Sequence, residues 1–84
     1  MKVGTDSMVL GALVESVNPG HVLDIGSGTG VLALMMAQKF PNAKITGVEL
    51  DLNAVRDCEL NFRNSQWSDR LNLVQSNFLE YETE

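Results

Sequence analysis

The chain has 84 residues, 44% of them hydrophobic and 20% charged, with a formal net charge of −5. These values describe a small globular domain rather than a disordered segment, and the acidic balance excludes a general electrostatic attraction to nucleic acid. The single cysteine, Cys58, excludes an internal disulfide and fits a reducing compartment, and neither a membrane-spanning run nor a signal-peptide core is present, so a cytoplasmic location is expected.

Residues 1–7 are polar, and Thr5, Asp6 or Ser7 is placed to cap a helix. Leu10, Leu13, Val14 and Val17 then recur at helical spacing, which predicts a helix over 6–17 that ends at Asn18-Pro19-Gly20. His21 precedes the first strong strand and reads as a solvated or satisfied edge residue. Val22-Leu23-Asp24-Ile25 predicts a strand over 21–25 that runs directly into Gly26-Ser27-Gly28-Thr29-Gly30. A helix-forming run from Val31 to Ala37 follows, and the helix is expected over 28–40, stopped by Pro41. Being apolar nearly all round, it is expected to lie sandwiched against the sheet, with Met35 and Met36 as core filler.

Strand, glycine loop and helix in this order open a nucleotide-binding βαβ unit. Glycines reach positive φ and let a ligand lie against the backbone, while the helix N-terminus offers unpaired N–H groups. The spacing Gly26-x-Gly28-x-Gly30 is one residue shorter than the dinucleotide pattern, and position 31 is Val. An ordinary tight strand-to-helix connection remains the plain alternative.

Lys44 to Glu49 predicts the second strand, ending on an acid about 20 residues beyond Gly30, the distance at which a carboxylate accepts from ribose hydroxyls. The two oxygens of Glu49 match the two vicinal hydroxyls of a ribose; capping of the next helix together with Asp51 is the alternative role. Leu50 is placed to press on an adenine face. Asp51 caps a helix over 52–64, with Val55, Cys58 and Phe62 on its buried side. Cys58 is then a core residue rather than a reactive thiol. After the connection 64–70, Leu71 to Gln75 predicts a third strand.

Asp24-x-Gly26-x-Gly28-x-Gly30 resembles the first motif of the class I S-adenosylmethionine-dependent methyltransferases. Lys2-Val3-Gly4-Thr5-Asp6, Gly47-Val48-Glu49-Leu50-Asp51 and Asn64-Ser65-Gln66-Trp67-Ser68-Asp69-Arg70 narrow the likeness to the bacterial valine-tRNA adenine-N6 methyltransferases, over nearly the whole chain. The resemblance implies S-adenosylmethionine as cofactor and tRNA as substrate. It places Asp24, Gly26, Gly28 and Gly30 along the methionine and ribose side, and Thr5 and Asp6 near the methionine end. It gives the ribose hydroxyls to Glu49 and packs Leu50 and Phe78 on the adenine. Asn77 stands where relatives usually carry Asp to accept from the adenine amine; its side-chain carbonyl still accepts.

The family's Asn-Pro-Pro-aromatic motif, which holds the target amine, is absent: the two prolines are Pro19 and Pro41. The chain is therefore expected to be the cofactor-binding N-terminal part, residues 1–84, of a longer methyltransferase and to be inactive alone. The fold expected is α/β: a Rossmann-like parallel sheet in the order 3-2-1, numbered from the strand at 21–25, flanked by helices. It would be incomplete at the edge of that strand and so open to self-association. A nucleotide-binding module without catalysis and a nicotinamide-dependent oxidoreductase are the alternatives.

Overall fold

The structure, a computed structural model, describes residues 7–10 and 19–76. In chain order the elements are β1 (Ser7–Leu10), β2 (His21–Ile25), α1 (Val31–Lys39), β3 (Lys44–Glu49), α2 (Leu52–Arg63), a single 3-10 turn (Ser68–Arg70) and β4 (Leu71–Gln75). The four strands form one sheet in the order β1-β2-β3-β4, every neighbouring pair parallel. The strands expected at 21–25, 44–49 and 71–75 are thus present and adjacent, joined by two crossover helices, of which α1 begins at Val31 rather than at 28 because Gly28 and Gly30 take positive φ.

Strand alternation sorts the core. Val22 and Ile45 stand opposite each other in register and point to the face that α1 and α2 cover. There they meet Ala33 and Ala37 of α1, Ala43, and Cys58 and Phe62 of α2. The small alanines let α1 lie close on the sheet. Leu23, Thr46 and Val48 alternate to the opposite face and are also buried. Strands β2 and β3 are therefore buried on both faces, as parallel strands are. Both crossover helices lie on one face, which follows when successive connections share one hand.

Two expectations are corrected at the start of the chain. Residues 7–10 are strand, not the first turn of a helix; positions 11–18 lie outside the described residues. The reason is the demand of β2. A strand buried on both faces leaves a row of N–H and C=O groups along any bare edge, and Met8-Val9-Leu10 is an apolar run able to pair with it. Ser7 to Leu10 accordingly align with His21 to Asp24. The edge of β2 expected to be incomplete is paired, and self-association through that edge loses its basis.

Helix α1 also differs from expectation. Only its alanine stripe is enclosed; Val31, Leu32 and Met35 are 53–56% exposed, so Met35 is not core filler, whereas Met36 packs against the core. Helix α2 begins as expected, with the Asp51 carboxylate accepting from the Ala54 N–H at 3.1 Å.

The connection 64–70 owes its form to two side chains. Ser65 Oγ donates to the Phe62 carbonyl at 2.9 Å and accepts from the Trp67 N–H at 3.2 Å. The Arg70 guanidinium reaches the carbonyls of Ala37 (2.8 Å), Phe40 (3.1 Å) and Ala43 (2.6 Å). These lie at and beyond the C-terminal end of α1, where carbonyls lack intrahelical partners and a cation is favoured by the helix dipole. Arg70 thereby ties β4 to the α1–β3 turn. Arg70→Ala is expected to destabilise the fold by about 1.5–3 kcal/mol, the range for a hydrogen bond to a charged group. Arg70→Lys should recover only part, because an ammonium cannot fork to three carbonyls in one plane. Chemical denaturation of the three proteins checks this, and equal stability of wild type and Arg70→Ala would contradict it.

Candidate cofactor-binding site

The loop from Gly26 to Gly30 leaves the C-terminal end of β2 and delivers the chain into α1. All three glycines have positive φ, +72° at Gly26, +56° at Gly28 and +89° at Gly30. Among the described residues, a β-carbon added at Gly26 or Gly28 would meet nothing within 4 Å, so none of them crowds the backbone there. Gly30 differs: the same atom would come within 2.7 Å of Phe62 Cε1 and 2.9 Å of Cys58 Sγ. The first two glycines leave room for a ligand, and the third lets α2 press against the loop from behind.

The loop is tied to the tip of β3. Gly26 and Ser27 N–H both donate to the Val48 carbonyl, at 2.8 and 3.2 Å. Gly47 completes the close approach, since a β-carbon on it would lie 3.0 Å from Ser27 Oγ. Glu49 then joins the two halves of the site. Its Oε1 accepts from the Gly28 N–H at 2.7 Å, and its Oε2 accepts from the N–H groups of Leu50 and Asp51, each at 3.0 Å. The Asp51 and Gly28 N–H groups, in that order, hold the Glu49 carboxyl below its ordinary pKa; burial pushes the other way, and the Leu50 N–H adds a lesser lowering. The glycine loop and the acid, separate signals in the sequence, are in direct contact.

Asp24 lies at the end of β2, opposite Gly47 in register, and is 2% exposed. Burial pushes its pKa up, a hydrogen bond from the Ala33 backbone N–H works against this, and the charge of Glu49 adds to the rise. Its Oδ2 is buried and has no hydrogen-bond partner among the described residues. An orphaned carboxylate oxygen in such a place favours a proton donor or a cation. Leu50 is 62% exposed and follows Glu49 directly, an apolar surface beside the acid. Thr5, Asp6, Asn77 and Phe78 lie outside the described residues.

Cys58 is fully buried, and burial pushes its thiol pKa up, so it remains protonated at neutral pH. His21 Nε2 is 2.9 Å from Thr46 Oγ1, a satisfied edge residue as its position suggested. Among the described residues no group of three His, Cys, Asp or Glu could hold a metal ion, and no helix is long and apolar enough to cross a membrane. A groove of about 500 Å³ between α2 and β4, lined by Val55, Phe62, Leu71 and Leu73 among others, touches neither the glycine loop nor Glu49.

One contact had no signal in the sequence. Asn61 Nδ2, on the exposed side of α2, donates to the Thr29 carbonyl at 2.8 Å. A polar residue on a solvated helix face carries no mark of a partner 32 positions away.

A parallel strand, a glycine loop, a helix N-terminus and a carboxylate at the neighbouring strand tip make up the arrangement that nucleoside-binding α/β units share. The family model described as "Methyltransferase small domain" matches residues 2–84, and the chain belongs to that family. It is 52% identical over 79 residues to a tRNA1(Val) (adenine(37)-N6)-methyltransferase of Vibrio parahaemolyticus, covering 94% of this chain and 33% of that protein. A protein of the same name from Vibrio campbellii is 48% identical over 84 residues, covering 100% of this chain and 35% of the relative. Another from Shewanella baltica is 52% identical over 81 residues, covering 96% and 34%. The chain thus spans about a third of the length of these relatives.

Proposed function

We propose that residues 1–84 form the S-adenosylmethionine-binding part of a methyltransferase domain that acts on the exocyclic amine of adenine in tRNA. The observation that carries the reading is the Glu49–Gly28 contact beneath open backbone at Gly26 and Gly28. It sets an acceptor carboxylate and a bare glycine backbone side by side, the pairing a ribose with its adjoining chain requires.

Glu49 accepts from the ribose hydroxyls, and Leu50 offers apolar surface to the adenine ring. Gly26 and Gly28 allow close approach along the loop. Asp24 Oδ2, buried and unpartnered among the described residues, suits the methionine ammonium, which would supply both a proton donor and a positive charge. By the family resemblance Thr5 and Asp6 serve the methionine end, and Asn77 and Phe78 the adenine. When bound, S-adenosylmethionine supplies an electrophilic methyl group on its sulfonium. The tRNA substrate in the relatives' names supports tRNA here, and a tRNA substrate fits a cytoplasmic location.

With a net charge of −5, any RNA contact must come from local basic surface. Transfer to an exocyclic amine also requires that amine to be held in line with the methyl, and orientation supplies much of the rate. No Asn-Pro-Pro-aromatic sequence is present to hold it, which also supports a second reading: cofactor binding without catalysis by these residues. Calorimetry of the 84-residue chain with S-adenosylmethionine and with NAD tests the assignment. Binding of S-adenosylmethionine in preference to NAD is the expected result, and the reverse preference would replace the reading with the nicotinamide alternative. Incubation with labelled cofactor and unmodified valine tRNA should give no methyl incorporation; incorporation would put the chemistry in residues assigned here to binding.

A further inference from the structure

We infer that Asn61 is a positioning residue of the cofactor site, holding the glycine loop in its ligand-ready form through the Thr29 carbonyl. The inference deepens the S-adenosylmethionine reading and rests on it for the identity of the ligand.

The starting point is a carbonyl that the helix does not use. The first intrahelical bond of α1 runs from the Leu34 N–H to the Gly30 carbonyl at 3.0 Å. Thr29 precedes the N-cap residue Gly30, so its carbonyl stands outside the α1 ladder. Thr29 lies between Gly28 and Gly30, both at positive φ, where the backbone has the widest choice of conformations and the most entropy to lose on ordering. The Asn61 amide meets the Thr29 carbonyl at 2.8 Å from a helix already fixed against the sheet by Cys58 and Phe62. A rigid element therefore anchors the most permissive point of the loop.

The second part of the argument is a count of acceptor sites on Glu49. A carboxylate has about four lone-pair sites. Three are used by the N–H groups of Gly28, Leu50 and Asp51. Two ribose hydroxyls cannot both be accepted in addition, so one of these N–H groups must give way. The Leu50 and Asp51 N–H groups follow Glu49 directly in the chain, whereas the Gly28 N–H comes from the separate loop and is the one free to leave. When it does, the Glu49 tie to the loop is lost, and Asn61 is the side chain that still holds its middle. The loop backbone then keeps its path while Glu49 changes partner.

The test uses the 84-residue chain with Asn61→Ala and Asn61→Asp. The aspartate is close to isosteric but has no donor for the Thr29 carbonyl and sets a negative charge against it. Three readouts are taken: the denaturation midpoint, amide hydrogen exchange at residues 28–30, and S-adenosylmethionine affinity by calorimetry. The expected result is a midpoint near that of wild type, because Asn61 is exposed and fills no core space. Exchange should quicken at residues 28–30 and not in β2 or β3. Affinity should fall about fivefold for Asn61→Ala, the loss of one ordinary hydrogen bond, and further for Asn61→Asp. Unchanged exchange at the loop in both variants would overturn the assignment, as would an affinity equal to wild type. So would an affinity loss that only tracks a fall in the midpoint. Absence of S-adenosylmethionine binding by wild type would instead overturn the ligand reading, and the exchange measurement would still decide the role of Asn61.

Discussion

Glu49→Ala is expected to weaken S-adenosylmethionine binding by about 1–3 kcal/mol, roughly 5- to 150-fold, the range for lost hydrogen bonds to a charged group. The substitution also frees the N–H groups of Gly28, Leu50 and Asp51, so the loop and the β3–α2 turn lose their common acceptor. Glu49→Gln is not a mild version of the change. Its amide group must point either at the Gly28 N–H or at the two N–H groups on the other side, setting donor against donor. The pH dependence has a definite sign. The folded-state pKa of Glu49 lies below its ordinary value of 4.5. The stability that the carboxylate contributes is therefore complete above pH 4.5 and lost as pH falls through the folded value. Denaturation from neutral pH downward should show this loss in wild type and lack it in Glu49→Ala. Calorimetry on the two proteins decides the binding role, and an unchanged affinity would remove Glu49 from the site.

Gly30→Ala should be the most damaging of the loop substitutions for folding. Its φ of +89° disfavours any L-side chain by about 1–2 kcal/mol. The new methyl would also lie 2.7 Å from Phe62 Cε1 and 2.9 Å from Cys58 Sγ, both in the core. Forcing extra volume into a packed interior costs about 1–3 kcal/mol more. The total, on the order of 2–5 kcal/mol, is a large part of the 5–15 kcal/mol that stabilises a typical domain. Gly28→Ala meets no neighbour within 4 Å, so only the backbone conformation opposes it in the free protein. Its methyl would instead enter the space assigned to the proposed cofactor. Denaturation should therefore rank Gly30→Ala well below Gly28→Ala in stability, while calorimetry should show Gly28→Ala impaired in cofactor affinity beyond its loss of stability. Equal stabilities for the two variants would contradict the division between a packing glycine and a ligand glycine.

The family was legible in the sequence because its signals are local. Asp24 to Gly30 announces a strand, a turn needing positive φ and a helix start within a few residues. Glu49 declares itself by standing at a strand end at a fixed remove from that loop. Asp51 as a cap and Cys58 as a buried residue follow from helical spacing and neighbours. Short apolar runs are less informative. Met8-Val9-Leu10 suits a helix face or a strand equally, and the helical spacing from Leu10 onward favoured the wrong choice for residues 7–10. Pairing with β2 decided it.

By itself the sequence determined the strand–glycine loop–helix unit, the acid that belongs with it and the α/β class, since each depends on residue type and short-range periodicity. The tertiary structure alone decided which glycine faces open space and which lies under α2. It also decided that Arg70 holds the end of α1, that Met35 faces outward, and that Glu49 and Asn61 grip the same loop from two sides. Those facts depend on where α2 and β4 come to rest against β3. The partners they bring together are separated by 21 to 33 residues, beyond the reach of any local pattern.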